Sequence, residues 1–178
     1  MRRRVAAAAV SGVLASMPVA AQTAGANGVE TIEAPLIGAA GKPIGKVVVR
    51  GSASATLARI TIDAGSLTPG WHGVHFHAVG DCSDPGQFQL SKGHVNHVAK
   101  KHGMLNPDGP DEGDLPNIMV NQDGSAQAEV SSLAVRILGQ NGLKDSDGSA
   151  LVIHAGEDDH TSQPIGNAGA RVACAVLK

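Results

Sequence analysis

Apolar and polar residues alternate along much of the chain, and this pattern predicts strands. In TLARITID (56–63), Ala58, Ile60 and Ile62 fall on one face, whereas the residues between them are mostly polar. A period of two matches a β-strand, whose successive side chains point to opposite faces of a sheet. No stretch carries apolar residues at a sustained helical spacing. The sequence therefore predicts an all-β fold.

Further strands follow from the same pattern and from the turn residues. VETIEAPLIG (29–38) and KPIGKVVVRG (42–51) flank a predicted turn, and LPNIMVNQDGSAQAEVSSL (115–133) is predicted to form a hairpin around residues 122–124. The last two strands are predicted at 150–154 and 170–177. About eight short antiparallel strands then form a sandwich or barrel. The long polar segments 80–113 and 156–169 are predicted to be functional loops.

The first 21 residues differ in composition from this pattern. Three arginines at positions 2–4 precede a weakly apolar, alanine-rich stretch, and Val19-Ala20-Ala21 has the small residues of a cleavage site. This combination is typical of a secretory signal peptide, and it favours export to the periplasm over the alternative of a disordered basic tail. No other apolar run is long enough to cross a bilayer, so no membrane association is expected.

Removal of residues 1–21 changes the charge. The full chain has 14 basic and 16 acidic residues, a net charge of −2; without the three arginines the balance is 11 against 16, or −5. A mature protein of this charge lacks the basic surface that binds nucleic acid.

Export also makes the two cysteines informative, because thiols pair in an oxidising compartment. Cys82 and Cys174 are therefore expected to form a disulfide, the alternative being two buried free thiols.

Histidines are concentrated in three segments with metal-binding potential. In WHGVHFHAVGDC (71–82), His75 and His77 share the outward face of a strand, whereas His72 is expected to be a hydrogen-bonded core residue. GHVNHVAKKHG (93–103) carries three more histidines and is followed by DEGD (111–114), and LVIHAGEDD (151–159) places His154 at a strand end before Asp158. An H-x-H pair alone is a weak signal, but histidines from three segments predict one shared metal centre.

These residues resemble the exported bacterial copper/zinc superoxide dismutases. HGVHFHAVGDC, GDLPNIMVNQDG, LVIHAGEDD and GNAGARVACAV carry the resemblance, which extends from about Val29 to Lys178. It implies an eight-stranded Greek-key, immunoglobulin-like sandwich or barrel over residues 29–178, with a metal-binding loop and an electrostatic loop. It also implies dismutation of superoxide to oxygen and hydrogen peroxide with bound copper and zinc. Superoxide is the expected partner. Whether two chains form a homodimer is not decided by the sequence.

The resemblance also implies roles for individual residues. The implied copper ligands are His75, His77, His94 and His154. The implied zinc ligands are His94, His102, Asp111 and Asp114. His94 would bridge the metals and supply a proton, Asp158 would connect a copper ligand to a zinc ligand, and Arg171 beside the copper would guide the anion. The disulfide would pin the loop that helps to hold Arg171.

One position departs from the family and leaves alternatives open. Asp111 stands where the family has its third zinc histidine. Zinc accepts carboxylate oxygen, so Asp111 can complete the site, but we expect weaker zinc binding, an altered or empty site, or completion by His97 instead. Ile165 replaces a threonine that the family often has near the channel.

The main alternative function is an exported copper-binding protein without dismutase activity. A zinc hydrolase has less support, because it would need an open zinc position with a nearby general base, which Asp111 does not provide.

Overall fold

The computed structural model describes residues 28–178, and every regular element in that part of the chain is a strand except for one 3₁₀ turn, Gln89–Ser91. The predicted signal peptide, 1–21, lies outside the described residues. The strands are β1 (Glu30–Gly38), β2 (Pro43–Gly51), β3 (Thr56–Ile62), β4 (Gly70–His72), β5 (Val74–His77), β6 (Ile118–Val120), β7 (Ala126–Ser132), β8 (Ser149–His154) and β9 (Arg171–Leu177). Within this range, no helix could span a membrane.

All strand pairs are antiparallel, as predicted. Seven strands form one sheet in the order β5-β8-β9-β1-β2-β3-β7, and β4 pairs with β6 in a second, two-stranded sheet. Since β4 leads directly into β5 at one edge of the large sheet, and β6 leads into β7 at the other, the small sheet joins the two edges. The large sheet is thereby curled into a barrel. Residues 28–178 contain nine strands instead of the predicted eight, because the predicted strand at 71–77 is interrupted at Gly73.

The barrel core confirms the alternating pattern. In β3, Ala58, Ile60 and Ile62 are buried, whereas Leu57 and Arg59 are exposed.

The hairpin prediction for 115–133 is correct only in part. The turn forms where predicted, with the Asn121 N–H donating to the Ser125 carbonyl oxygen at 2.8 Å. Beyond it, however, β6 pairs with β4 and β7 pairs with β3, so the two arms enter different sheets.

A second, smaller apolar cluster covers the outer face of β8 and β9. All six residues of β8 are buried, because Leu151 and Ile153 face the barrel core while Ala150 and Val152 face the opposite side. There they pack with Phe88 and Cys174 under the first long loop. Burying a phenylalanine side chain stabilises a fold by about 1.5–3 kcal/mol. The loop is therefore held onto the barrel by packing, as well as by the Cys82–Cys174 disulfide.

Candidate metal centre

The first long loop runs along the free edge of β5 and brings its histidine beside the strand. The Phe76 N–H donates to the Gly113 carbonyl oxygen at 2.8 Å, and the Val95 N–H donates to the Phe76 carbonyl oxygen at 2.9 Å. Gly113 is required at this approach, since a Cβ there would lie 2.4 Å from the Phe76 oxygen. The loop also buries His75 and His77 completely. Their predicted outward direction is correct with respect to the barrel, but the loop separates them from solvent.

Four histidine rings meet above β5 and β8. The distances between ring centroids are 4.2 Å for His75–His94, 4.9 Å for His75–His154, 5.1 Å for His77–His94 and 6.0 Å for His77–His154. Nitrogen atoms of His75, His77 and His154 all lie within 4.8 Å of one another. The predicted copper ligands are therefore brought together by one strand pair and one loop.

Each of these four rings has one nitrogen in a hydrogen bond and one without a partner. His75 Nε2 donates to Asp158 at 2.8 Å, His77 Nδ1 to the Lys92 carbonyl oxygen at 2.8 Å, and His154 Nδ1 to the Gly169 carbonyl oxygen at 2.9 Å. Because these acceptors fix the protons, the other nitrogens of the three neutral rings carry lone pairs. Among the described residues, the buried nitrogens without a partner are His75 Nδ1, His77 Nε2, His94 Nε2, His154 Nε2 and His160 Nδ1.

Burial keeps three of these rings neutral. It lowers the pKa of His75 to about 3 and that of His154 to about 4, in each case against a smaller opposing effect of the hydrogen bond that the ring donates. Burial also lowers the pKa of His77 well below its ordinary value. Buried nitrogen lone pairs without partners are costly unless a cation occupies the space between them. The donor set of imidazoles suits copper and zinc.

A second cluster with two carboxylates adjoins the first. Ligand atoms of His94, His102, Asp111 and Asp114 all lie within 4.8 Å of one another. His94 Nδ1 is 2.8 Å from Asp111 Oδ2 and 3.5 Å from Asp114 Oδ1, and His102 Nδ1 is 2.6 Å from Asp114 Oδ1. His94 thus presents Nδ1 to this cluster and Nε2 to the first. Two nitrogens and two oxygens form a donor set that zinc accepts.

In the second cluster, neighbouring carboxylates raise the pKa values of the histidines, whereas burial lowers them in the first cluster. Burial acts to lower the pKa of His102, but hydrogen bonds and attraction to Asp114 and Asp158 outweigh it and raise the pKa to about 10. The pKa of His94 is also raised, because Asp111 and Asp114 outweigh the effect of its burial. The pKa of Asp114 is held well below its usual range by His102 and His94, although burial opposes this shift. In the absence of metal, protons therefore occupy the space between the donors of this cluster.

His97 lies outside both clusters. Its backbone N–H and its ring Nδ1 contact the Glu112 carboxylate, and its side chain is 35% exposed. Asp111, by contrast, is buried at the cluster, with its Oδ1 accepting from the Gly113 N–H at 3.0 Å. Of the two residues that the sequence offers to complete the second cluster, the geometry brings Asp111 to it.

The Asp158 carboxylate links the two clusters. It is fully buried, and it accepts from His75 Nε2 at 2.8 Å through Oδ2 and from His102 Nε2 at 3.1 Å through Oδ1. These bonds leave the Nδ1 atoms of His75 and His102 directed toward different clusters. Carboxylates in this position fix the ring orientation of metal-ligating histidines.

Arg171 lies at the mouth of the centre and is held by the first loop. Its Nη1 donates to the Phe88 carbonyl oxygen at 2.6 Å and to Ser91 Oγ at 3.0 Å, and its Nη2 donates to the Lys92 carbonyl oxygen at 2.7 Å. All three acceptors are neutral, so these contacts are not a salt bridge. Arg171 also lines a cleft of about 400 Å³ whose wall includes Lys100, Ile165 and residues of the second cluster. The cleft opens the second cluster and His94 to solvent.

Sequence reasoning missed two side-chain amides that tie the loops to the centre. Asn117 donates from Nδ2 to the Asp158 carbonyl oxygen at 2.8 Å and accepts the Asp158 N–H at 2.9 Å. Gln163 makes the equivalent pair of bonds to the backbone of His102, at 2.8 and 3.1 Å. Gln163 lies in a polar segment without periodicity and Asn117 directly precedes β6, so the alternating pattern gave no signal for either contact.

Comparison with known proteins identifies the family. The family model described as copper/zinc superoxide dismutase (SODC) matches residues 44–177. This chain belongs to that family. A superoxide dismutase [Cu-Zn] of Caulobacter vibrioides is 49% identical over 142 residues, which cover 78% of this chain and 80% of that protein. A second relative, superoxide dismutase [Cu-Zn] 1 of Aquifex aeolicus, is 41% identical, with 82% of this chain and 86% of that protein covered.

A solved structure extends the comparison to the fold. The crystal structure of a SOD-like protein from Bacillus subtilis matches with a TM-score of 0.76 and 33% identity, covering 82% of this chain and 97% of that one. The predicted family and fold class are confirmed by these matches, and so is the expectation that the family uses copper and zinc. The disulfide is confirmed by the structure. The position of Asp111 in the second cluster is a property of this chain that the family assignment alone does not supply.

Proposed function

We propose that this protein is an exported superoxide dismutase that converts two superoxide anions and two protons into dioxygen and hydrogen peroxide. The observation that carries the proposal is the set of four buried ring nitrogens without hydrogen-bond partners, in a chain of this family. Copper held by His75, His77, His94 and His154 would supply the one-electron redox chemistry that the reaction needs. The protein's own residues hold the ligand rings, attract the anion and deliver protons.

The ligand rings are prepared before any metal binds. Three of them are already neutral, with their protons on the nitrogens that donate to Asp158, Lys92 and Gly169. For these three rings, binding therefore requires neither removal of a proton nor rotation of the ring. Such preorganisation reduces the reorganisation that binding and reaction would otherwise require.

His94 differs from the other three rings and is proposed to be a proton donor. Its Nδ1 faces the Asp111 and Asp114 carboxylates, which raise the pKa of the ring. Its Nε2, the nitrogen on the side of the first cluster, has no hydrogen-bond partner and is the atom that would carry the proton. His94 would supply one of the two protons, and solvent in the cleft would supply the other.

Arg171 is proposed to draw superoxide into the cleft. Its guanidinium lines the opening beside His94, and its three hydrogen bonds to neutral acceptors leave it as a positive charge in a protein of net negative charge. Attraction of this kind raises association rates by roughly 10- to 1,000-fold and weakens as salt is added.

The second cluster is proposed to bind zinc through His94, His102, Asp111 and Asp114. The separations between these donors support a four-ligand site. Two carboxylates give the site fewer nitrogen donors and more negative charge than the family's three histidines and one aspartate, so we expect weaker zinc binding. The zinc would keep the His94 ring aimed at the first cluster.

The proposed location is the periplasm, with residues 1–21 removed as a signal peptide and residues 29–178 forming the mature domain. The disulfide supports an oxidising compartment, since such bonds rarely persist in the cytosol. N-terminal sequencing of the protein isolated from the producing cell tests the cleavage position. An intact Met1 or a cytosolic location would contradict this part of the proposal.

The central experiment combines metal analysis with a superoxide disproportionation assay on the purified mature protein. We expect about one copper per chain and activity that His77→Ala abolishes. His97→Ala is the matched control, because His97 is a loop histidine outside both clusters, and it should leave activity unchanged. Copper binding without dismutation would overturn the proposal and favour the copper-sequestering alternative.

A further inference from the structure

His160 lies in the second long loop and packs against the Asp158 carboxylate. Its backbone N–H donates to Asp158 Oδ1 at 2.7 Å, and its ring Nδ1 lies 3.4 Å from Asp158 Oδ2. The residue adopts a φ of +58°, which is uncommon for a residue other than glycine. Strained conformations of this kind persist where surrounding contacts fix them, often near functional sites. The ring is mostly buried, with 18% of its side chain exposed.

Asn117 determines which nitrogen of the His160 ring carries the proton. The Asn117 amide cannot be reversed, because its Oδ1 accepts the Asp158 N–H and its Nδ2 donates to the Asp158 carbonyl oxygen. The remaining hydrogen of Nδ2 points to His160 Nε2, at 3.2 Å. His160 Nε2 must therefore be the acceptor, and in the neutral ring the proton is on Nδ1.

His160 Nδ1 lies 3.4 Å from Oδ2 of the carboxylate that links the two clusters, which is an electrostatic contact and not a hydrogen bond. Asp158 Oδ2 receives His75 Nε2 at 2.8 Å and faces His160 Nδ1, while Oδ1 receives His102 Nε2 and the His160 N–H. Oδ1 thus accepts two hydrogen bonds, and Oδ2 accepts one hydrogen bond and has one longer electrostatic contact. His75 and His102 each hold one oxygen of this carboxylate, and the His160 ring adds an attraction at Oδ2 that opposes its rotation about the last side-chain bond.

We propose that His160 is a positioning residue of the metal pair, which holds the Asp158 carboxylate so that His75 and His102 keep their Nδ1 atoms turned toward copper and zinc. The inference rests on the proposed function, since it takes the two clusters to be metal sites. It adds a residue with no place in either ligand set. His160 acts only through Asp158 and touches neither metal nor substrate.

The first test determines which nitrogen of the His160 ring carries the proton. Long-range ¹H–¹⁵N correlation spectra of the reduced, copper- and zinc-loaded protein distinguish the two neutral tautomers of a histidine, and the His160→Phe variant assigns the signal. We expect the Nδ1–H form in the wild type. We expect Asn117→Asp to lose that form, because an aspartate oxygen cannot donate to Nε2. A proton on Nε2 in the wild type would overturn the inference.

The second test compares two variants of His160. His160→Phe keeps the ring volume without a donor, whereas His160→Asn can place an amide N–H near the position of Nδ1. We expect zinc, measured by competition with a chelator, to bind about tenfold more weakly to the Phe variant, with an altered copper electron paramagnetic resonance spectrum. The Asn variant should restore both properties, which a purely space-filling role would not predict.

His97→Phe is the matched control, because it makes the same change at a loop histidine that contacts only Glu112 among its side-chain partners. Equal losses in the Phe and Asn variants of His160, or unchanged zinc binding in the Phe variant, would overturn the inference while leaving wild-type dismutation intact. A wild-type protein that binds metals but does not dismutate superoxide would instead refute the proposed function alone. If the Phe variant does not fold, the Asn variant and the tautomer measurement still decide.

Discussion

Replacement of both cysteines by alanine should destabilise the metal-free protein substantially. The disulfide joins Cys82 in the first long loop to Cys174 in β9, across a sequence separation of 92. In the chain-entropy model, closing a loop of this length stabilises the native state by about 4–5 kcal/mol at 25 °C. Alanine is the better replacement than serine because Cys174 is fully buried, and a hydroxyl there would need a partner.

The expected loss can be measured by urea unfolding of the metal-free protein, since bound metal would add its own stabilisation. For a chain of this size, a loss of about 4–5 kcal/mol corresponds to a decrease in Tm of roughly 8–20 °C. Wild-type protein reduced with a thiol reagent is the control and should show a similar loss. A difference of less than about 1 kcal/mol between oxidised and cysteine-free protein would refute the chain-entropy reasoning for this loop.

The same substitution should also reduce the activity of the metal-loaded protein. Arg171 donates to the carbonyl oxygens of Phe88 and Lys92, which belong to the loop that Cys82 anchors. If the loop shifts, the guanidinium moves with it. We expect kcat/KM to fall together with its dependence on salt, because the anion is then less well guided. Unchanged salt dependence in the cysteine-free protein would mean that packing of Phe88 alone holds the loop.

Three further predictions follow from the site. Arg171→Ala should lower kcat/KM by about tenfold or more at low salt, with little change in the copper spectrum; undiminished activity would exclude the guiding role. At pH 7 zinc binding should release at least one proton, because the pKa of His102 is about 10. Copper binding should release none from the proposed ligands His75 and His154, whose pKa values are about 3 and 4. Calorimetry in two buffers measures both releases, and the zinc-linked release should fall as pH rises through 10. Asp111→His should tighten zinc binding in chelator competition, and weaker binding would contradict our account of the carboxylate.

The strands and the histidines of β5 could be predicted because a period of two fixes both position and face. Ala58, Ile60 and Ile62 are buried as a set for this reason, and His75 and His77 share a side of the sheet. The burial of those two rings could not be predicted in the same way, since it depends on the path of a long loop. That path is determined by close backbone contacts, such as the one at Gly113, which leave no periodic signal in the sequence.

The contacts around Asp158 were beyond sequence reasoning for a related reason. Asn117 is 41 positions away from Asp158, and Gln163 is 61 positions away from His102. Each recognises backbone atoms, so the identity of its partner side chain carries no information about the pairing. The family resemblance identified Asp158 itself, but not the side chains that enclose it.

The carbonyl group of Lys92 accepts from both His77 Nδ1, at 2.8 Å, and Arg171 Nη2, at 2.7 Å. A carbonyl oxygen has two lone pairs, and here one accepts from the arginine at the cleft and the other from a histidine on the edge strand β5. The distance between the Arg171 guanidinium and the His77 ring is thus fixed by a single peptide unit. A widened entrance would pull on that ring, so natural variants that admit bulkier anions should also show a shifted reduction potential.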